Sequence, residues 1–148
     1  MNDLLRTAEE RDWPVIHELL AARGLPLDGA RQHLENFVVA EKGRAVVGVG
    51  GSERYGQVGL LRSVAVVEAE GGTGIGTLLV RELLARARQA GVRDLYLLTT
   101  SAAEWFPRFG FVRIDRAAMP PELGASAELQ GACPASAVAM RLKLQPRG

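Results

Sequence analysis

The run Gly71-Gly72-Thr73-Gly74-Ile75-Gly76 limits the fold more than any other stretch of the chain. Ahead of it, Leu60 to Val67 reads as a buried strand, with Val64, Val66 and Val67 β-branched. Behind it, Ile75, Leu78, Leu79, Leu83 and Ala87 recur at helical spacing, with Thr77, Arg81 and Arg88 on the other side. A strand, a glycine-rich turn and a helix start therefore meet here. Glycines let the chain turn sharply and bring several backbone N–H groups close to one bound group. The first N–H groups of a helix have no internal partner, and the helix dipole adds partial positive charge. Such a turn suits a phosphate or pyrophosphate. A connector that binds nothing satisfies the same pattern.

Two common phosphate loops do not fit. A G-x-x-x-x-G-K-[ST] loop needs a lysine, and Thr77-Leu78 follows the last glycine instead. A dinucleotide fingerprint belongs on a first strand and helix, with an acid about 20 residues on. Here the loop lies mid-chain, and Asp94, the acid near that offset, precedes a strand.

A length of 148 residues, 47% hydrophobic and 24% charged, fits a single globular domain over 1–148 with a real core. A net charge of +1, with no element concentrating Lys and Arg on one side, argues against nucleic acid as a partner. The N-terminal run Met1-Asn2-Asp3-Leu4-Leu5-Arg6 is too short and too acidic for a signal peptide, and no stretch approaches the about 20 apolar residues of a membrane helix. The single cysteine, Cys133, excludes an intrachain disulfide and a cysteine-rich zinc site, so no metal site is expected. The expected location is cytoplasmic.

In order, Leu4 to Arg6 is a first strand, and Asp12 suits an N-cap for a helix with Trp13 and Pro14 in its first turn. Val15, Ile16, Leu19 and Leu20 form its apolar face, His17 falls outside that face, and Gly24 ends it. Residues 28–36, with His33, suggest a second, shorter helix. Phe37 to Glu41, Arg44 to Glu53 and the strand ending at Val67 form an antiparallel meander, turning at Lys42-Gly43 and Tyr55-Gly56-Gln57. The long helix runs from the glycine loop to about Ala90, capped by Gly91. Val92 to Leu98 is a further strand. Ser101 with Glu104 fits a capping box for a short helix to Phe109. Phe111 to Ile114 is a strand, Pro120 to Gln130 a helix, Ser136 to Leu144 a last strand, and Gln145 to Gly148 a tail.

This order resembles the GCN5-related N-acetyltransferase (GNAT) family. Leu61-Arg62-Ser63-Val64-Ala65-Val66 leading to Gly72-Thr73-Gly74-Ile75-Gly76 is similar to that family's acetyl-CoA motif, and Ala102 to Phe111, ending Phe109-Gly110-Phe111, to its second signature. The resemblance implies an α/β (α+β) fold: a mixed, splayed sheet of about seven strands flanked by helices. It implies acetyl-CoA as co-substrate and a small-molecule amine as acceptor. The pantetheine arm would bond to backbone at Val64, Ala65 and Val66, the pyrophosphate would sit on N–H groups of Gly72, Thr73, Gly74, Ile75, Gly76 and Thr77, and Gly71 opens this cofactor loop. Ala102 and Phe106 would flank the cofactor, and a homodimer is implied as well. The chain departs from the family pattern twice. Gly71 stands where Arg or Gln is usual, and Phe106 stands where a tyrosine often protonates the departing thiolate, so that acid is absent.

The chain also resembles acetyltransferases encoded with arsenic-resistance genes, through Glu53-Arg54-Tyr55-Gly56, Leu61-Arg62-Ser63, Leu97-Leu98-Thr99-Thr100 and Cys133-Pro134-Ala135-Ser136-Ala137. That likeness implies an amino-acid-like substrate, such as phosphinothricin or an arsenical amino acid. On chemistry alone, Arg62 offers a planar fork for a carboxylate, or else a structural ion pair. Glu53 is the acid placed to take a proton from an attacking ammonium, or else a solvated hairpin residue. Tyr55 and Thr99 would shape the substrate pocket, or in the case of Tyr55 pack on the sheet. Cys133 suits a small buried residue better than an arsenic ligand, which normally needs several thiolates. Trp105 and Phe109 read as packing in the core or along the cofactor groove. A competing class is an acyl-CoA-binding regulatory module without turnover.

Overall fold

The computed structural model describes residues 4–144. Its strands are β1 (Leu5–Thr7), β2 (Phe37–Lys42), β3 (Ala45–Tyr55), β4 (Val58–Val66), β5 (Asp94–Thr99), β6 (Val112–Ile114) and β7 (Val138–Lys143), and its α-helices are α1 (Trp13–Ala22) and α2 (Ile75–Gln89). The strands form one mixed sheet in the order β1-β2-β3-β4-β5-β7-β6. The pair β4–β5 is parallel and every other pair antiparallel. The α/β architecture, the central meander and the seven strands agree with the sequence.

Strand alternation explains the two layers of helix. Along β2, Val38 and Ala40 face α2, whereas Phe37 and Val39 face α1. All four are fully buried, as period-2 alternation requires when both faces are covered. On the α2 side Leu79 and Leu83 lie over β3, where a Cβ on Gly50 would meet Leu83 Cδ1 at 2.8 Å. On the α1 side the Phe37 ring lies directly over Gly51 of the neighbouring strand. Small residues in β3 thus let both layers close tightly.

The sheet splits at its parallel pair. β4 and β5 are hydrogen-bonded only where Val58–Leu60 lie beside Asp94–Tyr96. Beyond Leu60, β4 stays with β3, while β5 stays with β7 as far as Thr99 opposite Val138. A bulge marks the parting. Gly51 opposes Arg62 and Val49 opposes Ala65, so β4 carries one extra residue there, and Ser63 takes a left-handed φ of 63°. That conformation costs a non-glycine residue about 1–3 kcal/mol, and it re-aims the side chains on either side of it.

Several local expectations differ. Asp12 stands at the N-cap of α1 without bonding to its N–H groups; its carboxylate instead accepts the Glu9 N–H at 2.7 Å and both Nη groups of Arg6 at 2.8 Å. Residues 28–36 form a 3-10 helix, Arg31–Asn36. The Ser101–Glu104 capping box does not form: Thr99 Oγ1 accepts the Ala102 N–H at 2.9 Å, and the short helix is a 3-10 turn, Phe106–Phe109. Pro120 to Gln130 is not one helix but a 3-10 turn, Pro121–Ala125, followed by a π-turn, Glu128–Ala132. Gly124 and a left-handed Gly131 (φ 121°) break its periodicity. The final strand is not the edge that dimer pairing would need, because β7 lies between β5 and β6. The tail expected over 145–148 lies outside the described residues.

Candidate functional site

The split between β4 and β5 opens a cleft of about 640 Å³. One wall is Arg62 to Val66 of β4, the other Leu97 to Thr99 of β5; Trp105 and Phe106 close one side, and Pro26 and Glu128 reach in from loops. At its mouth, α2 starts from Gly74, whose φ of 89° suits glycine alone. The first bond of the helix is Leu78 N–H to Gly74 O at 3.1 Å, so the N–H groups of Ile75, Gly76 and Thr77 precede it. A Cβ at Gly72 or Gly74 would meet nothing within 4 Å, whereas one at Gly76 would touch the Trp105 ring at 3.5 Å. The loop is therefore open outward and closed inward. Together with the strandless edge of β4, these features fit a phosphate-bearing co-substrate with an extended arm. Among the described residues no group of three or more His, Cys, Asp and Glu is arranged to hold a metal ion.

Arg62 is the best-anchored residue in the cleft. Its side chain is fully buried, and its guanidinium donates from Nη1 to Glu53 Oε2 at 2.6 Å, from Nη2 to the Pro26 carbonyl at 3.1 Å and from Nε to Ser63 Oγ at 2.9 Å. The bulge at Ser63 is what brings that last hydroxyl back onto its own neighbour. On the cleft side Glu128 Oε2 lies 3.4 Å from Arg62 Nε.

Glu53 sits behind Arg62 rather than on the cleft wall. It is fully buried, and its carboxylate also accepts the Tyr55 hydroxyl and bonds to Ser126. Burial alone would raise this carboxyl, but the hydrogen bonds from Tyr55, Arg62 and Ser126 outweigh it and hold Glu53 below the usual carboxylate range. A carboxylate so saturated is a weak base with no line to an ammonium in the cleft. The expected base thus stands bonded to Arg62, away from the cleft lining. Tyr55 likewise faces Glu53, and burial followed by that carboxylate raises its phenol. His33 approaches Glu53 Oε1 at 3.8 Å and meets the Tyr55 ring edge-on at 6.3 Å.

Of the other expected residues, Val64, Ala65, Val66, Gly76, Thr99, Ala102 and Phe106 line the cleft. Thr99 contributes its hydroxyl to the turn that follows it. Gly71, Gly72, Thr73, Gly74 and Thr77 lie at the mouth, and Ile75 turns its side chain into the core. Two lining residues, Arg23 and Glu128, were not singled out from the sequence, and Cys133 is buried as expected. Arg23, at the end of α1, donates to the Val66 carbonyl from Nη2 at 2.6 Å. Glu128 and Cys133 are buried together on the turn beyond Ser126. Burial, then the Glu128 carboxylate, pushes the Cys133 thiol up to about 12, which keeps it protonated. An isolated acid in a run of Ala, Gly and Ser was the only signal for Glu128, and a weak one.

Residues 33–113, more than half the chain, match the acetyltransferase (GNAT) domain family. The chain is 26% identical over 127 residues to an amino-acid acetyltransferase of Mannheimia succiniciproducens, covering 80% of this chain and 29% of that protein. It is 35% identical over 101 residues to one from Ralstonia nicotianae, covering 64% and 22%. It thus spans less than a third of these curated relatives. The Rv2747 protein of Mycobacterium tuberculosis, solved in complex with CoA, superposes with a TM-score of 0.79 at 26% identity over 96% of this chain and 99% of that one. N-acetylglutamate synthase from Neisseria gonorrhoeae shares the fold at a TM-score of 0.82 and 22% identity, over 95% of this chain and 35% of that one. A split mixed sheet with a glycine turn at its mouth, and a family match across the meander and both walls of the split, lead to one conclusion: the chain belongs to the GNAT acetyltransferases.

Proposed function

We propose that the chain transfers the acetyl group of acetyl-CoA to the amine of a small amino-acid-like substrate. Acetyl-CoA, when bound, supplies an activated thioester carbonyl. The N–H groups of Ile75, Gly76 and Thr77, ahead of the first bond of α2, would receive its pyrophosphate, and the open edge of β4 would receive its arm. The observation that carries the substrate class is Arg62. Its named acceptors account for three of a guanidinium's five N–H groups, and Glu53 holds the fork rigid against the cleft wall. A substrate carboxylate is the natural partner of such a fork. The curated relatives are named amino-acid acetyltransferases, which supports the same class. A toxic amino-acid analogue, phosphinothricin or an arsenical amino acid, belongs to the same proposal, as does a cytoplasmic location. If the chain pairs with itself, the surface is one other than β7.

The test is thiol release from acetyl-CoA across a panel of amines, including α-amino acids, those two analogues and alkylamines that lack an anion. Amino acids should be turned over well and simple amines poorly. If acetyl-CoA binds by calorimetry while no amine releases thiol, the chain is an acyl-CoA-binding module and not an enzyme.

Two variants sharpen the assignment. Gly74→Asp places a strained, negatively charged residue at a left-handed position facing the mouth, and calorimetry should show acetyl-CoA binding weakened at least tenfold, or about 1.4 kcal/mol. Unchanged affinity would remove the loop from the binding site. Arg62→Lys keeps the charge that Glu53 needs but loses the fork. It should lower kcat/KM for amino acids roughly tenfold to a hundredfold, the worth of a charged hydrogen bond, while acetyl-CoA affinity stays the same. Equal losses for amino acids and simple amines would make Arg62 purely structural.

A further inference from the structure

Arg62 has two carboxylates around it, and they do different things. Glu53, behind it, already neutralises the guanidinium at 2.6 Å. Glu128 approaches from the cleft side at 3.4 Å, 3% exposed, with its side chain in the cavity lining. One cation thus stands between two buried acids, which leaves the pair facing the cleft with charge to spare on the acidic side. A buried carboxylate needs a cationic partner when it ionises, and Glu128 has to share Arg62 with Glu53. Among the described residues no second cation faces it: the groups facing Glu128 are Arg62 from β4, Glu53 from β3 behind it, and Cys133 from its own turn, whose thiol bonds to it, with Arg116 facing the cysteine.

An α-amino acid carries a second cation. Its ammonium is two bonds from its carboxylate, and Arg62 and Glu128 present opposite charges 3.4 Å apart in the same wall. We infer that Glu128 is the general base of this site, receiving the substrate ammonium beside the carboxylate held by Arg62 and taking its proton; the inference rests on the acetyl-transfer function proposed above. The proton passes from nitrogen to a Glu128 oxygen, and the freed amine attacks the acetyl thioester carbonyl. The new N–C bond forms and the C–S bond breaks. Of the two protons the nitrogen loses, the second ends on the departing sulfur through water, since Phe106 has none to give, and the one on Glu128 returns to solvent. Burial, opposed by Arg62 and reinforced by Glu53, raises the Glu128 carboxyl above its ordinary range, which brings a carboxylate closer to the strength a base needs near neutral pH.

The experiment compares parent, Glu128→Gln and Glu128→Asp in steady-state turnover of the best amino acid, over a range of pH. Glu128→Gln should keep its fold by circular dichroism and its acetyl-CoA affinity by calorimetry. Its kcat/KM near neutral pH should fall about 10²–10⁴-fold, the usual worth of a positioned base. That loss should shrink about tenfold for each pH unit toward the amine's own pKa, where water delivers the free amine, and Glu128→Asp should recover part of it. A loss of the same size at every pH, or no loss, overturns the inference while leaving acetyl transfer intact. A parent that releases no thiol with any amine overturns both. As a readout without co-substrate, ¹³C NMR of glutamate carboxyls in the parent, with Glu128 assigned from Glu128→Asp, should show it titrating above the ordinary glutamate range. Titration at or below that range overturns the inference even if the glutamine variant fails to fold.

Discussion

Arg62→Ala should destabilise the protein by about 3–5 kcal/mol, because it leaves two buried carboxylates without the cation between them. Chemical denaturation reads the size of the loss, and its dependence on pH reads the cause. In the parent, Glu53 is held below its usual range, so its contribution is present above the unfolded pKa and is lost as pH falls through the folded one. Without the guanidinium, burial dominates Glu53 as it already does Glu128, and both folded pKa values lie above the unfolded ones. The sign then reverses. The variant should be most stable in mild acid and lose stability as pH rises above the unfolded carboxylate range and through the raised folded values. A variant whose stability follows the parent's pH trend would show that Glu53 does not depend on Arg62 for its charge.

Gly51→Ala should cost about 3 kcal/mol, the upper part of the range for overpacked cores. A Cβ there would lie 2.2 Å from Phe37 Cε1 and 2.4 Å from two more ring atoms, with the ring fully buried and unable to swing aside. Gly51 also pairs with Arg62 on its other flank, so a strand displaced by the new methyl would disturb the guanidinium as well. Shrinking the ring with Phe37→Leu in the same chain should recover part of the loss. If Gly51→Ala melts with the parent, the close approach of ring to strand is not present in solution.

The parts of the molecule that could be read from the sequence are those where local pattern and global fold agree. The meander declared itself through alternation and the glycines at 43 and 56, and the glycine turn through a strand, glycines and a helical period in succession. Arg62 was legible because it interrupts an apolar strand. Its partners were not. Glu53 was expected to face the acceptor amine, and whether a strand residue points to the cleft or away from it depends on register, which the bulge at Ser63 shifts by one. Glu128 lies on a π-turn bounded by Gly124 and Gly131, where no period exists to be recognised. Thr99 and Ser101 compete to cap the same turn, and chain composition alone does not say which one the backbone brings into range. Contacts across the sheet, rather than along it, were the ones hidden.

The parting of β4 from β5 also has a consequence for how the molecule survives in a cell. Most folds keep unpaired strand backbone at their rims, yet here a stretch of it runs through the centre, from Leu61 to Val66, with Arg23 covering the Val66 carbonyl. An arm lying along that stretch completes the sheet as a missing rung completes a ladder. Stability should therefore climb with the concentration of whatever fills the gap, by RT ln(1 + [L]/Kd), and the melting temperature should climb with it. A chain left empty offers the same hydrogen-bonding groups to any extended peptide that passes, including a strand of its own kind. Supply of the small molecule would then govern how long the protein lasts as well as how fast it works.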